Sequence, residues 1–143
     1  MSLWFNANKG EDAQPLAKVA SGGEMSRVLL AMKIARQRKE KVPTILFDEV
    51  DEGVGGEVGR VIGHKLEQLG QEVQVICISH LPQVAARGDH HFLIQKKTSA
   101  ERTVSHVRKL TDEERKEEIA RMIYGDQKNE ITRKQAEEML KKQ

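Results

Sequence analysis

Apolar residues recur along this chain in two rhythms, short unbroken runs and stripes at three- and four-residue spacing, and their alternation outlines an α/β domain. The run Thr44-Ile45-Leu46-Phe47, bounded by Pro43 and Gly53, predicts a strand buried on both faces that ends in the acids Asp48, Glu49 and Asp51. Between Glu57 and Leu69 the positions Val58, Val61, Ile62, Leu66 and Leu69 fall on one face of a helix that Gly70 stops. Val73 to Ile78 then predicts a second buried strand, closing with Ser79-His80. Strand, helix and strand at this spacing form a right-handed βαβ unit with parallel strands, so His80 is expected at the same sheet edge as Asp48 and Glu49.

Around this unit the pattern is less regular. Trp4 to Asn8 reads as a short edge strand, and Lys9 to Pro15 as a polar loop broken by Gly10 and Pro15. A helix from Ser21-Gly22-Gly23-Glu24 to about Lys39 carries Met25, Val28, Leu29, Met32 and Ala35 as its buried stripe. Downstream, Pro82 suits the first turn of a short helix through Ala86. His90 to Lys97 and Arg102 to Leu110 predict a β-hairpin. Thr111 to Glu114 is a capping box opening a helix with Ile119, Met122 and Ile123 inward and Gly125 at its end. A last helix, about Glu130 to Lys141, carries Ile131, Ala136, Met139 and Leu140.

Composition narrows the function classes. The 143 residues fit one domain, and 38% hydrophobic with only 3% aromatic content implies a core of aliphatic side chains and methionine. With 24 basic and 22 acidic residues the net charge is +2, so no bulk basicity points to nucleic acid. The lone cysteine, Cys77, forms no internal disulfide and suits a reduced, cytosolic setting. No run approaches the ~20 apolar residues of a membrane span. Met1-Ser2-Leu3 reads as an appended scar before the abrupt start at Trp4-Phe5, and residues 4–143 as a piece whose first residues come from the middle of a longer protein.

Three local patterns carry chemistry. An aspartate at the carboxyl end of a buried strand holds Mg²⁺ through water, and a glutamate directly after it accepts a proton from a water attacking a phosphate. The plainer reading of Asp48-Glu49 is a strand running into an acidic turn. Ser21 and Glu24 have the spacing of a capping box, but a cap does not call for two consecutive glycines. A helix amino terminus with bare N–H groups and a serine hydroxyl is an anion site, and phosphate is the better explanation. His90 and His91 are adjacent, so on a strand they face opposite ways and do not chelate one metal; without paired cysteines a zinc site is disfavoured. Lys134, Lys141 and Lys142, interleaved with Glu137 and Glu138, read as a solvated helix face.

The order of these patterns resembles the ABC-type ATPase heads, with their signature motif, Walker B strand and switch histidine. Val19 to Arg27, Phe47 to Gly56 and Ile78 to Ala85 look most like the RecN family, bacterial double-strand-break repair ATPases related to the structural-maintenance-of-chromosomes (SMC) proteins. The resemblance runs from about Trp4 to the last helix. It implies the carboxyl-terminal lobe of an ABC-type P-loop NTPase head, an α/β fold with a parallel sheet core, a β-hairpin and terminal helices. It further implies ATP and Mg²⁺ as cofactors, Asp48 as the Mg²⁺ residue acting through water, Glu49 as the residue that orients or deprotonates the attacking water, and His80 as the γ-phosphate sensor. Ser21, Gly22, Gly23 and Glu24 would meet ATP bound to the opposite head of a homodimer.

Partners implied are the amino-terminal half of the same head, the second head, and DNA through the complete protein, with no membrane and a cytoplasmic, nucleoid-associated location. One departure is Gly55, where transporter-type heads place an aspartate seven residues after the Walker B aspartate. No Gly-x-x-x-x-Gly-Lys-Ser/Thr occurs, so the β-phosphate has no cradle here and the chain by itself is expected to be nearly inert. Two other classes remain open at this point: a non-hydrolysing module that dimerises heads or docks a partner, and the ATPase subunit of a membrane transporter.

Overall fold

The computed structural model describes residues 4–6, 10, 12–15, 22–40, 42–48, 50–51, 53–98, 102–125 and 129–141, with the backbone alone at 5, 22–24, 26 and 37–40. Ser21 and Glu49 lie outside the described residues, as does the side chain of Glu24. The chain runs β1 (Trp4–Phe5), β2 (Gln14–Pro15), α1 (Gly22–Glu40), β3 (Thr44–Asp48), α2 (Gly56–Gly70), β4 (Gln74–Ile78), α3 (Pro82–Ala85), β5 (Phe92–Thr98), β6 (Thr103–Lys109), α4 (Asp112–Tyr124) and α5 (Glu130–Leu140). This is the expected α/β arrangement of a parallel pair, an antiparallel hairpin and helices at the carboxyl end.

β3 and β4 pair in parallel from Thr44↔Gln74 to Asp48↔Ile78, which the α2 crossover makes possible. β5 and β6 pair antiparallel from Phe92↔Lys109 to Thr98↔Thr103. β1 pairs antiparallel with β2, so the expected polar loop holds a strand at Gln14–Pro15. Proline is tolerated there because an edge strand does not need every N–H.

Two apolar clusters hold the fold. Leu30, Phe47, Val50, Ile62, Leu66 and Leu69 are among the buried residues that join α1, β3 and α2, with Val73 added from the end of the crossover and Val84 from α3. Ile119 and Ala136 seat α4 against α5, and Ala86 brings the end of α3 onto them. The capping boxes are as clear as the packing. The hydroxyl of Thr111 accepts from Glu114 N–H at 3.3 Å while the Glu114 carboxylate accepts from Thr111 N–H at 2.9 Å. Asn129 and Thr132 make the same reciprocal exchange at the start of α5.

Several expected faces are rotated. β3 is buried on one face only: Ile45 and Phe47 point into the core with Val75 and Cys77 of β4, whereas Leu46, Ile76 and Ile78 on the other face are 53%, 48% and 43% exposed. A parallel sheet normally carries cover on both faces, and among the described residues only one is covered. In α1 Leu30 is buried and Met25, Val28 and Ile34 are half-buried, while Leu29, Met32 and Ala35 of the expected stripe are exposed. Apolar residues surround this helix, so spacing alone selects no unique stripe. In α2, Val58 and Val61 face outward and Gly59 and Gly63 face inward. In α5, Ile131 is exposed and its neighbour Thr132 is buried, its hydroxyl donating to Asn129 O at 2.7 Å. That bond lets a polar side chain enter the core without an orphaned group.

Candidate active-site edge

β3 and β4 end together, which brings their following residues to one edge of the sheet. Asp48 closes β3 opposite Ile78, on the open face it shares with Leu46. The chain then plunges inward, with Val50 and Asp51 both buried, and returns through a turn closed by Val54 N–H on Asp51 O at 3.2 Å. Gly53 in this turn has φ 66°, a conformation that favours a residue without Cβ. From the end of β4, Ser79, His80 and Leu81 lead into α3, whose first residue is Pro82.

Asp51 joins the two strand ends. Its Oδ2 accepts the Ser79 hydroxyl and the N–H groups of His80 and Leu81, the latter two at 3.1 Å. The Nδ1 of His80 stands 3.6 Å from the same oxygen, while 67% of the His80 side chain remains exposed. The imidazole is therefore anchored at its root and open at its tip. Asp51 Oδ1 has no hydrogen-bond partner among the described residues.

Two further contacts hold α3. Gly59 and Gly63 of α2 let it approach so closely that a Cβ at Gly63 would lie 2.7 Å from the Gln83 carbonyl oxygen. At the other end Arg115 of α4 donates from Nη2 to the carbonyls of Ala85, Ala86 and Gly88 at 3.3, 2.9 and 2.5 Å, placing a cation where the helix leaves carbonyls unsatisfied. The free edge of β3 is covered by Lys33, whose Nζ donates to Leu46 O at 3.1 Å and sits 5.0 Å from the centre of the Phe47 ring.

Relatives of known name now bear on this edge. No family model matches the chain. The DNA repair protein RecN of Halalkalibacterium halodurans is 48% identical over 98% of the chain, and RecN of Bacillus subtilis is 44% identical over 96%. Over this stretch the chain is a homologue of RecN. It spans about a quarter of the length of those relatives, 25% and 24%. The RecN-like stretch also matches solved SMC structures. One, from work on ATP-driven dimerization and DNA-stimulated activation of SMC ATPases, has a TM-score of 0.60 and 25% identity over 83% of this chain and 70% of that one. The Smc head domain with a coiled coil and joint from Pyrococcus yayanosii has a TM-score of 0.62 and 26% identity over 77% of this chain and 20% of that one. The fold of the RecN-like stretch is that of part of an SMC head.

Among the residues named from sequence, Asp48 and His80 lie at the carboxyl ends of neighbouring parallel strands. The backbone of Gly22, Gly23 and Glu24 forms the first turn of α1. Among the described residues no three His, Cys, Asp or Glu side chains converge on a metal position. A single exposed carboxylate at Asp48 fits a hydrated cation and does not make a protein-built cage. Cys77, beneath the edge, is no nucleophile: burial first, then the Asp51 and Asp48 carboxylates, push its thiol up to about 12. No described helix is long and apolar enough to cross a membrane.

Sequence reasoning placed Asp51 in the acidic run and assigned it no task. Its partners come from the end of the next parallel strand, 28 to 30 residues away. The only sequence signal was an acid directly after the core residue Val50.

Proposed function

We propose that this chain is the carboxyl-terminal part of the ATPase head of a RecN-like protein of DNA double-strand-break repair, bound through its apolar open face to the amino-terminal half of the same head. The observation that carries this reading is the shared edge of β3 and β4, where Asp48 closes one strand and His80 follows two residues after the end of the other, in a stretch that is 48% identical to a RecN. The exposed Leu46, Ile76 and Ile78 support the second part, since a parallel sheet stable in water is covered on both faces.

In this reading Asp48 orients a hydrated Mg²⁺, and Glu49 takes the proton of the attacking water. His80, exposed at its tip, donates a ring N–H to a γ-phosphate oxygen. Bound Mg²⁺ supplies charge neutralisation at the β- and γ-phosphate oxygens. Ser21, Gly22, Gly23 and Glu24 present the start of α1 to ATP on a second head, where bare N–H groups favour an anion. Heads so bridged dimerise with ATP between them, and DNA is engaged by the complete protein.

The test is Glu49→Gln in the full-length protein, because an amide keeps the shape of a carboxylate and cannot act as a base. ATP affinity is expected to stay within about twofold while hydrolysis falls by about 100-fold or more. Parental hydrolysis in a folded Glu49→Gln protein removes Glu49 from its role, whereas a parental full-length protein that binds ATP and does not hydrolyse it favours the non-hydrolysing docking module.

A further inference from the structure

A carboxylate withdrawn from water is costly unless donors satisfy it, and Asp51 is completely buried. Its donors are concentrated on one oxygen and come from one three-residue stretch: the Ser79 hydroxyl and the N–H groups of His80 and Leu81. Within the stretch Leu81 N–H also donates to Ser79 Oγ at 3.1 Å and Leu81 packs against the core, but neither is a hydrogen bond to the acidic strand end. α3 is only four residues long, and its N-cap Leu81 makes no side-chain cap bond. A single turn does not sustain itself in water, so the direction of residues 79–81 depends on what grips them from outside. Asp51 supplies that grip three residues after Asp48, which makes it the one described side chain hydrogen-bonding the acidic strand end to the histidine strand end.

We infer that Asp51 is a positioning residue: it fixes the backbone of residues 79–81 and thereby the direction in which His80 leaves the sheet edge relative to Asp48 and Glu49. The inference rests on the reading that His80 acts in ATP hydrolysis. An apolar side chain at position 51 would fill the same volume but would grip no N–H group. The carboxylate also faces Nδ1 of His80 at 3.6 Å, turning that nitrogen inward and leaving Nε2 for the open side.

The experiment uses the full-length protein with four variants: His80→Ala, Asp51→Ala, the double variant and Asp51→Asn. ATP affinity, hydrolysis rate and thermal unfolding are measured on each. His80→Ala is expected to slow hydrolysis by about 10-fold or more. Asp51→Ala should slow it similarly, with ATP affinity kept within about twofold. The double variant should be no slower than His80→Ala alone, because a residue acting through His80 has nothing left to position. Asp51→Asn keeps an oxygen that accepts the two N–H bonds and should recover part of the rate.

A double variant slowed by the product of the single effects, or one that also loses ATP binding, overturns the inference in favour of a general structural role. So does a folded Asp51→Ala protein with the parental rate, and that result beside a slow His80→Ala leaves the reading of the site intact. If His80→Ala itself hydrolyses at the parental rate, the assignment of His80 falls and the task given to Asp51 falls with it. Should Asp51→Ala fail to fold, Ser79→Ala removes one donor while leaving the carboxylate. It must then slow hydrolysis in the parental background and not in His80→Ala; equal slowing in both overturns the inference.

Discussion

Gly63→Ala measures how much of the histidine arm depends on the close approach of α2 and α3. A Cβ built at this position meets the Gln83 carbonyl oxygen at 2.7 Å, Arg87 Cγ at 3.2 Å and Val84 Cα at 3.3 Å, all short of ordinary contact. Two of the three obstacles are backbone and cannot rotate aside. Forcing a methyl into a packed contact costs about 1–3 kcal/mol, and the better helix propensity of alanine returns about 1 kcal/mol. The net loss is about 0–2 kcal/mol, taken partly as displacement of α3.

Two neighbours on the same helix serve as controls. Gly70→Ala finds nothing within 4 Å and should gain about 0.5 kcal/mol or more from propensity. Gly59→Ala meets the far end of Leu81 at 2.8 Å, which can turn away, and Gln83 Cβ only at an ordinary 3.7 Å, so it should fall between the two. Thermal unfolding of the three variants in the full-length protein gives the order Gly70→Ala, Gly59→Ala, Gly63→Ala from most to least stable, with about 2–4 °C for each kcal/mol. A Gly63→Ala protein that melts at or above Gly70→Ala refutes the packing argument.

Two other outcomes follow from contacts around α3. Arg115→Met leaves the carbonyls of Ala85, Ala86 and Gly88 without their shared donor; a loss of about 2–3 kcal/mol is expected in chemical denaturation, and an unchanged midpoint argues against the clamp. His91 has its pKa held below the ordinary 6.5 by burial first and Arg115 second, with Glu118 pulling the other way. Its folded form thus binds a proton more weakly than its unfolded form, so its stabilising contribution is present above pH 6.5 and is lost as pH falls through 6.5 toward the folded pKa. His91→Asn should flatten the loss of stability as pH falls below 6.5, and an unaltered slope there rules His91 out as the cause.

Local chemistry in the sequence was enough to define the elements other than β2, because each of those rests on neighbours along the chain, whereas Gln14–Pro15 is a strand only by its pairing with β1. Thr111 with Glu114, Pro82 at the first turn of α3 and the apolar runs of β3 and β4 are all signals within a few residues, and the parallel pairing follows from the crossover between them. Which face of each helix is buried was not legible. Apolar and charged residues are interleaved all round α1, so only packing selected Leu30 and Ile34 over Leu29 and Met32. Glycine carries no hydrophobic signal, so Gly59 and Gly63 entered the buried face of α2 only because α3 lies against it.

The site divides in the same way. That Asp48 and His80 reach one sheet edge could be read from the sequence, because Asp48 ends a strand, His80 closely follows the end of the next, and the strands run parallel. The role of Asp51 depends on register: Asp48 pairs with Ile78, and that pairing brings the buried carboxylate beneath Ser79, His80 and Leu81. A shift of one residue would turn alternate side chains to the other face and break the link. Sequence therefore decided which residues reach the edge, and the tertiary register decided which one holds the others in place.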